Sequence, residues 1–233
     1  MITKKEIILP NVYVLTYDTQ YDLCMSFVRM QEFHESPSRK IRGKYFTLED
    51  YIDYWSTEQG RGSFDYPRRW NGFNLPSNVI KKWYSFYDVW GDIRDREREI
   101  LEAIDELGMQ EAVDEEPPDK YYVIGVHSES SGDTMKEVIE HELAHAMYYL
   151  NPAYKRAANK LLKNMDKKVY DKAEKMLLKM GYGKNVIKDE MQAYFSTNEI
   201  EENSKMDDLE ESADFIRNFN EFRCDLKKEI FFK

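Results

Sequence analysis

The segment from residue 121 to residue 150 reads YYVIGVHSESSGDTMKEVIEHELAHAMYYL, and its pattern changes twice along its length. Aromatic and β-branched residues dominate Tyr121 to His127, which predicts a buried strand. A polar turn follows as far as Gly132. From about Thr134 to Leu150 the apolar residues recur at the spacing of one helix face. The segment therefore predicts a strand, a turn and an amphipathic helix, in this order.

The rest of the C-terminal half is predicted to be mainly helical. Thr134 and Glu137 have the spacing of a capping box at the start of the first helix. Asn151-Pro152 ends that helix and begins a second one, because asparagine is a good cap and proline fits the first helical position. Helical patterns then continue to about Met180, where Gly181 interrupts them. Two later helices are predicted over residues 186–196 and 207–230.

The N-terminal half mixes short strands and helices, so the whole chain is predicted to be α+β with a small mixed or antiparallel sheet. Ile7 to Tyr17 alternates in the manner of a strand, and Leu23 to Phe33 fits either a strand or a helix. Thr47 is placed to cap a helix. Asp92 to Leu107 is an amphipathic helix, and Gly108 is expected to end it.

An acidic stretch separates the two halves. Residues 108–119 (GMQEAVDEEPPD) contain acids and two prolines but no Lys or Arg, which is typical of an exposed connection. We therefore expect an N-terminal subdomain over residues 1–107 and a second region over residues 120–233. All four tryptophans lie between Tyr45 and Trp90. We interpret this stretch as a buried aromatic core in preference to a peptide-binding surface.

The composition, with 42% hydrophobic and 33% charged residues, is that of a globular protein. Its 34 Lys and Arg against 44 Asp and Glu give a net charge of −10, which argues against general binding to nucleic acid. Cys24 and Cys224 are too few for a disulfide framework, and the N-terminus lacks the apolar run of a signal peptide. Nothing approaches the ~18 apolar residues of a membrane span. We expect a cytoplasmic protein that binds neither nucleic acid nor membranes.

The predicted helix carries the motif His-Glu-x-x-His at residues 141–145. Residues four apart lie on successive turns and ~40° apart around the axis, so His141 and His145 can bind one metal ion. Glu142 lies ~60° from His145, where its carboxylate can reach water without binding the metal. Zinc in such a site lowers the pKa of a bound water to ~7, and Glu142 would act as the general base. The motif predicts one Zn²⁺ ion and hydrolytic chemistry.

A catalytic zinc ion usually has three protein ligands, and no histidine follows His145. The third ligand is therefore expected to be a carboxylate. Glu190 is preferred, because its predicted helix also carries Tyr194 one turn later and apolar neighbours suited to packing against the motif helix. Asp189 and the acidic stretch Glu199 to Glu211 remain alternatives.

This arrangement resembles the gluzincin group of zincin metallopeptidases, in which His-Glu-x-x-His is completed by a glutamate on a later helix. The resemblance covers about residues 120–197. It implies a zincin-like fold, one zinc ion and a peptide or protein substrate, and it implies that Tyr121 to His127 lines the substrate cleft. The segment around Glu190 departs from the Asn-Glu-x-x-Ser-Asp pattern of thermolysin-like enzymes, so substrate class and supporting residues do not carry over from them.

A hydrolytic site also needs groups that stabilise the oxyanion and that orient the ligands. Tyr194 is the first candidate for the oxyanion and His127 the second, with Tyr148 and Tyr149 close behind His145 as further candidates. Three carboxylates are equal candidates for orienting a ligand histidine: Glu140, Asp133 and Asp189.

The preferred function is a zinc-dependent peptidase. The alternatives are a zincin-fold regulatory or binding protein with little turnover, and a helical protein without metal. The presence of Glu142 favours catalysis, because a purely structural zinc site does not need it. Residues 151–190 hold eleven Lys or Arg and five Asp or Glu. We interpret them as solvated, or as facing the acidic segment and the final helix, in preference to a surface that steers an acidic peptide or a nucleic-acid-bound protein.

Overall fold

Residues with high strand propensity flank Pro10, and they form an antiparallel hairpin. Strand β1 covers Ile2–Leu9 and β2 covers Val12–Tyr17. Asn11 joins them in the left-handed conformation, with a φ of 63°, which asparagine tolerates better than most residues. The predicted strand character of Ile7 to Tyr17 is confirmed, as two strands instead of one.

The computed structural model of the protein describes residues 1–112, 116–200 and 210–231, and it contains one mixed sheet of four strands. The other strands are β3 (Gly72–Pro76) and β4 (Tyr122–His127), and the order in the sheet is β1-β2-β4-β3. β4 pairs parallel with β2 and antiparallel with β3. Every residue of β4 is buried, which explains its almost continuous apolar sequence. The predicted α+β class with a small mixed sheet is confirmed.

Helices make up most of the described chain. Those before β4 are α1 (Gln20–Glu35), α2 (Leu48–Glu58), α3 (Ser77–Asp88) and α4 (Asp95–Gln110). Those after it are α5 (Gly132–Leu150), α6 (Pro152–Asn164), α7 (Lys167–Met180), α8 (Ile187–Ser196) and α9 (Glu210–Phe231). Within the described ranges, none of them is both long and apolar enough to cross a membrane.

The polypeptide divides into two compact units, Met1–Ile139 and Glu140–Lys233. The first contains the sheet and α1 to α4. The second contains the end of α5 and the helices α6 to α9, with α8 packed against α6, α7 and α9. The domain boundary expected at residues 108–119 stays a prediction. Residues 113–115 of that stretch lie outside the described chain, and β4, which follows it, belongs to the sheet of the first unit.

Helix α1 covers the sheet, and Gly125 in β4 allows the two to approach closely. A Cβ atom added at Gly125 would lie 2.7 Å from Leu23 Cδ1 and 2.7 Å from Phe27 Cε2, which is closer than packed carbon atoms approach. Leu23 and Phe27 are fully buried. The segment Leu23 to Phe33, which the sequence left open, is therefore a helix whose apolar side chains pack on the sheet.

A buried ion pair joins α1 to the start of α4. Arg29 donates from Nε and Nη2 to the carboxylate of Glu97 at 2.6 and 2.5 Å, and from Nη1 to Asp92 Oδ2 at 2.6 Å. The guanidinium carbon lies 4.7 Å from the ring centroid of Tyr87. Glu97 Oε2 also accepts from the Arg94 backbone N–H at 2.9 Å, so the same carboxylate closes the first turn of α4.

The aromatic residues between 45 and 90 form a core, but the tryptophans divide into two pairs. Trp55 and Trp83 are 9% and 0% exposed, whereas Trp70 and Trp90 are 41% and 63% exposed. Trp55 meets Tyr66 edge to face, with centroids 4.8 Å apart and an angle of 86°, whereas Trp83 stacks on Tyr87 at 4.8 Å and 22°. The interpretation as core is confirmed for the first pair and wrong for the second.

Two predicted helix ends are wrong. Gly108 does not end α4, which continues to Gln110. A Cβ added at Gly108 would lie 3.3 Å from Pro117 Cβ, so this glycine serves close packing within a helix. Thr134 does not cap α5 but lies inside it, and its backbone N–H donates to Ser131 Oγ at 3.2 Å. The serine three residues earlier therefore supplies the cap.

The other predicted caps are confirmed. Thr47 and Asp50 form a reciprocal capping box at the start of α2. Asn151 Oδ1 accepts from two backbone N–H groups in the first turn of α6. Gly181 ends α7 in the left-handed conformation, with a φ of 107°, which only glycine adopts without strain.

Replacing Arg29 with methionine should lower the free energy of unfolding by roughly 3–5 kcal/mol, because Glu97 would become a buried charge without its partner. Lys4→Met is the matched control, since Lys4 pairs with Glu6 at the surface and exposed pairs contribute little. Urea unfolding followed by tryptophan fluorescence measures both variants. Equal losses in the two variants would contradict the role assigned to Arg29.

Candidate metal centre

Two helices of the second unit bring the predicted metal ligands together. His141 and His145 lie on successive turns of α5, and Glu190 lies in the first turn of α8. One nitrogen or oxygen of each residue lies within 4.8 Å of those of the other two. His145 and Glu190 are buried, and the side chain of His141 is 13% exposed.

The spacing of these atoms suits a tetrahedral metal ion. The Nε2 atoms of His141 and His145 are 3.2 Å apart. His145 Nε2 lies 3.7 Å from Glu190 Oε2. Ligands that lie ~2.1 Å from a tetrahedral zinc ion are ~3.4 Å from one another. These two distances bracket that value, and the ligand atoms of His141 and Glu190 lie within 4.8 Å of each other.

The other ring nitrogen of each histidine contacts a carboxylate. His145 Nδ1 lies 2.9 Å from Asp189 Oδ1, and His141 Nδ1 lies 2.8 Å from Glu199 Oε1. An ionised carboxylate only accepts hydrogen bonds, so each Nδ1 must be the donor. In the neutral rings, each Nε2 is then left with a lone pair. The two carboxylates therefore select the tautomer that binds a metal through Nε2.

With both imidazoles in the neutral tautomer, the atoms that face one another, the two Nε2 atoms and Glu190 Oε2, are all hydrogen-bond acceptors. Glu190 Oε2 is buried and has no hydrogen-bond partner among the described residues, and its 3.7 Å distance to His145 Nε2 is too long for a hydrogen bond. Buried acceptors are costly unless a donor or a cation satisfies them. Two imidazoles and one carboxylate are a ligand set that zinc accepts. The residues present therefore fit one zinc ion.

The charges around the centre favour a cation there. Burial opposes protonation of His145, but the carboxylates of Asp189 and Glu190 outweigh burial and raise its pKa well above the usual value. Burial in turn raises the pKa of Glu190 to about 7. A divalent cation would compete with the protons that these groups bind.

Asp189 is fixed by a buried glutamine. Gln192 Nε2 donates to Asp189 Oδ1 at 3.0 Å and to the backbone oxygen of Ala144 at 3.2 Å. Gln192 Oε1 accepts from the hydroxyl of Tyr154 at 2.8 Å. Both Gln192 and Tyr154 are fully buried. These hydrogen bonds connect α6 and α8 to α5, next to His145.

The structure gives different contacts to the carboxylates that the sequence offered as ligands or as orienting residues. Glu190 approaches the Nε2 atoms of the histidines, whereas Asp189 contacts a Nδ1 atom and so orients a ligand. Glu140 instead forms an ion pair with Arg223. The side chain of Asp133 lies outside the described part of the chain.

Glu199 is an orienting residue that the sequence did not assign. The sequence suggested it only as one end of an acidic stretch that offers a third ligand. Besides His141, Glu199 Oε1 contacts Thr197 Oγ1, which donates to it at 2.8 Å. Because Glu199 lies beyond the end of α8, no helical spacing connected it to the site. Residues 201–209 of the same acidic stretch lie outside the described chain.

Two tyrosines lie beside the centre. The ring of Tyr194 meets the ring of His141 edge to face, with centroids 4.9 Å apart and an angle of 85°. The hydroxyl of Tyr194 lies 3.3 Å from that of Tyr182. Burial raises the pKa of Tyr194 to about 12, so it is a neutral hydrogen-bond donor near pH 7. Tyr182 lies in the turn after α7, where no sequence pattern marked it.

Glu142 lies on α5 directly after His141, and it is half-buried. Burial is the main cause of the raised pKa of Tyr194, and the charge of Glu142 adds to it, so Glu142 lies within electrostatic range of that tyrosine. It is not one of the three converging ligand residues. This position is compatible with the predicted role of a base that does not bind the metal.

The remaining oxyanion candidates lie elsewhere or have other partners. His127 belongs to the first unit, at the end of β4, where its Nε2 lies 3.1 Å from Ser130 Oγ. Its role stays a prediction, and so does that of Tyr149. The hydroxyl of Tyr148 donates to Asn159 Oδ1 at 3.1 Å, so Tyr148 has a partner on α6.

The centre has the composition of a mononuclear zinc site, with two imidazoles, one carboxylate and a second layer of carboxylates. Comparisons with protein-family models, with curated proteins and with solved structures find no match for the chain. Its function is therefore inferred from the residues themselves.

Replacing Asp189 or Glu199 with alanine should weaken zinc binding by about 10- to 100-fold each, because a ligand histidine loses the carboxylate that orients it. Asp171→Ala is the matched control, since Asp171 pairs with Lys167 at the surface of α7. Competition with a chromophoric chelator measures the three affinities. If all three variants bind zinc as tightly as the wild type, the two carboxylates do not orient the ligands.

Proposed function

We propose that the protein is a zinc-dependent metallohydrolase of the gluzincin kind, and specifically a peptidase that cleaves amide bonds in peptides or proteins. The observation that carries this proposal is the convergence of three acceptor atoms, from His141 and from the buried His145 and Glu190, within 4.8 Å of one another. A zincin-like fold for the region around α5 and α8 is part of the same proposal. It rests on the His-Glu-x-x-His helix and on the glutamate of a later helix.

The residues around the point of convergence have separate tasks. His141 and His145 would hold the metal through Nε2, and Glu190 through its carboxylate. Bound zinc supplies Lewis acidity toward water and toward a substrate carbonyl. Asp189 and Glu199 keep the two imidazoles in the metal-binding tautomer.

Glu142 and Tyr194 supply the proton transfer and the stabilisation of charge. Glu142 accepts a proton from the attacking water and passes a proton to the amine that leaves. The hydroxyl of Tyr194 donates a hydrogen bond to the carbonyl oxygen as that oxygen gains negative charge. Tyr182 contacts the same hydroxyl and restricts its direction. His127 remains the second candidate for the oxyanion.

The purified protein should contain one zinc ion per chain, and Glu190→Gln should lose it, because the neutral amide is a much weaker zinc ligand than a carboxylate. Glu174→Gln on α7 is the matched control and should keep the metal. Elemental analysis by mass spectrometry gives the zinc content of each protein. A wild type that holds no zinc and binds none when zinc is added would rule out the metal centre.

Glu142→Gln should keep the zinc but lower kcat/KM by about 10²- to 10⁴-fold, because the base is lost while the ligands remain. Glu137→Gln, an exposed position on the same helix, is the matched control. Cleavage of a broad peptide library, followed by mass spectrometry, finds the substrate for the comparison. Stoichiometric zinc without any cleavage would instead favour a zincin-fold regulatory or binding protein.

A further inference from the structure

The basic residues between positions 151 and 190 lie on the outside of the second unit. All eleven Lys and Arg of this stretch are exposed. Four lysines of α7 recur every three or four residues, so they lie within ~60° of one another around the helix axis. The buried residues of α7, Ala173 and Leu177, lie on its opposite side. We call these four residues the lysine row: Lys168, Lys172, Lys175 and Lys179.

Most acids of residues 151–190 have partners other than the lysine row. Asp166 accepts from backbone N–H groups and caps α7. Asp171 pairs with Lys167 at 2.8 Å. Asp189 and Glu190 belong to the metal centre. Within the described part of the chain, no lysine of the row forms an ion pair. Four of the five acids of this stretch therefore have other partners, and the fifth, Glu174, forms no ion pair with the row among the described residues, so the row keeps a net positive charge.

Helix α6 adds a second set of positive charges. Arg156, Lys160 and Lys163 are exposed and share one face of α6. The apolar face of α6, with Tyr154 and Leu162, is buried. Both helices thus use their apolar sides for packing within the unit and leave their basic sides exposed.

The composition of this surface indicates a phosphate-bearing partner. Protein–protein interfaces are enriched in aromatic residues, Met and Arg, and are depleted in Lys. The row is made of lysine alone, and the exposed large hydrophobic residues described on α6 and α7 are Leu178 and Met180. Lysines contact phosphate oxygens as mobile point charges. A row ~16 Å long, with a charge every ~5 Å, can reach several successive phosphates of a nucleic-acid strand.

The negative net charge of the whole chain does not exclude a phosphate-bearing partner, and the two helices do not have the features of a membrane-binding surface. The net charge of −10 belongs to the whole chain, and charges farther than ~10 Å from the row are largely screened at 0.1 M salt. The expectation that the protein does not bind nucleic acid followed from this net charge. Residues 151–190, however, contain eleven Lys or Arg and only five Asp or Glu. Membrane-surface helices insert an apolar face into the lipid, and the apolar faces of α6 and α7 are buried.

We propose that the lysine row, together with the basic residues of α6, binds the sugar-phosphate backbone of nucleic acid without reading its sequence. This partner goes beyond the proposed hydrolase. It needs neither zinc nor turnover, so the binding measurement and the tests of the metal centre can fail independently.

Fluorescence anisotropy of a fluorescein-labelled duplex of about 20 base pairs tests the proposal between 50 and 200 mM salt. The full-length wild type should bind with a Kd of about 10⁻⁴ to 10⁻⁶ M at physiological salt, and the affinity should fall steeply as salt rises. A variant with all four row lysines changed to glutamine should reduce the slope of log K against log salt by about 3 to 4, because each lost phosphate contact removes ~0.9.

The matched control removes the same charge from the first unit. It carries glutamine in place of four exposed lysines: Lys4, Lys40, Lys44 and Lys136. This control should keep the wild-type slope. Glutamine and lysine have similar helix propensity, and circular dichroism checks the fold of both variants. As a second readout, DNA should protect the row lysines of the wild type from acetylation, as measured by mass spectrometry.

Three results would overturn the proposal. The first is the absence of binding to the duplex at 50 mM salt. The second is an equal change of slope in both variants, or row lysines that stay as reactive with DNA as without it. The third is tighter binding to polyglutamate or to vesicles that contain phosphatidylserine, which would assign the surface to an acidic protein or to a membrane.

Discussion

The hydrogen bond between His145 Nδ1 and Asp189 Oδ1 is the contact on which the second unit's polar centre depends. It determines which nitrogen of the buried imidazole carries the proton, and so it directs the lone pair of Nε2 toward Glu190. Because Asp189 and Glu190 are adjacent on α8, one turn of helix supplies both the orienting carboxylate and the acceptor that faces the histidines. A small shift of α8 would therefore disturb both functions together.

The packing of the second unit holds that turn in place. Helix α8 lies against α6, α7 and α9. Hydrogen bonds from the buried Tyr154 through the buried Gln192 to Asp189 add directional contacts to this packing. Fully satisfied buried networks of this kind favour one arrangement over others. The first unit is stabilised in a different way, by an aromatic core and by the buried pair of Arg29 and Glu97.

The sequence predicted the features that follow from helical periodicity and from elimination. The spacing within α5 brought His141 and His145 onto one face, and the lack of a later histidine pointed to a carboxylate. Of the nearby carboxylates, Glu190 is the one that groups with the two histidines as a possible ligand. Periodicity describes one helix at a time, so it could not find groups that approach from beyond a helix end. Glu199 after α8 and Tyr182 after α7 are both of this kind, and only tertiary packing places Glu199 against His141 and Tyr182 against Tyr194.

The same limit explains the errors in the first unit. Trp55 and Trp90 have the same intrinsic hydrophobicity, and only the course of the chain decides that one is buried and the other exposed. Glycine is typical of a helix end, but Gly108 lies inside α4, where its small size lets Pro117 pack closely against the helix. Charge showed a related limit. The net charge of −10 describes the whole chain and does not show that exposed Lys and Arg outnumber the acids on α6 and α7.

The central claim is that one zinc ion lies between His141, His145 and Glu190. Anomalous diffraction at the zinc absorption edge, from crystals of the protein grown with one equivalent of zinc, tests this most directly. The account predicts a single strong peak within about 2.0–2.2 Å of both Nε2 atoms and of a Glu190 carboxylate oxygen. A peak bound through Asp189 in place of Glu190, or no peak near the two histidines, would contradict it.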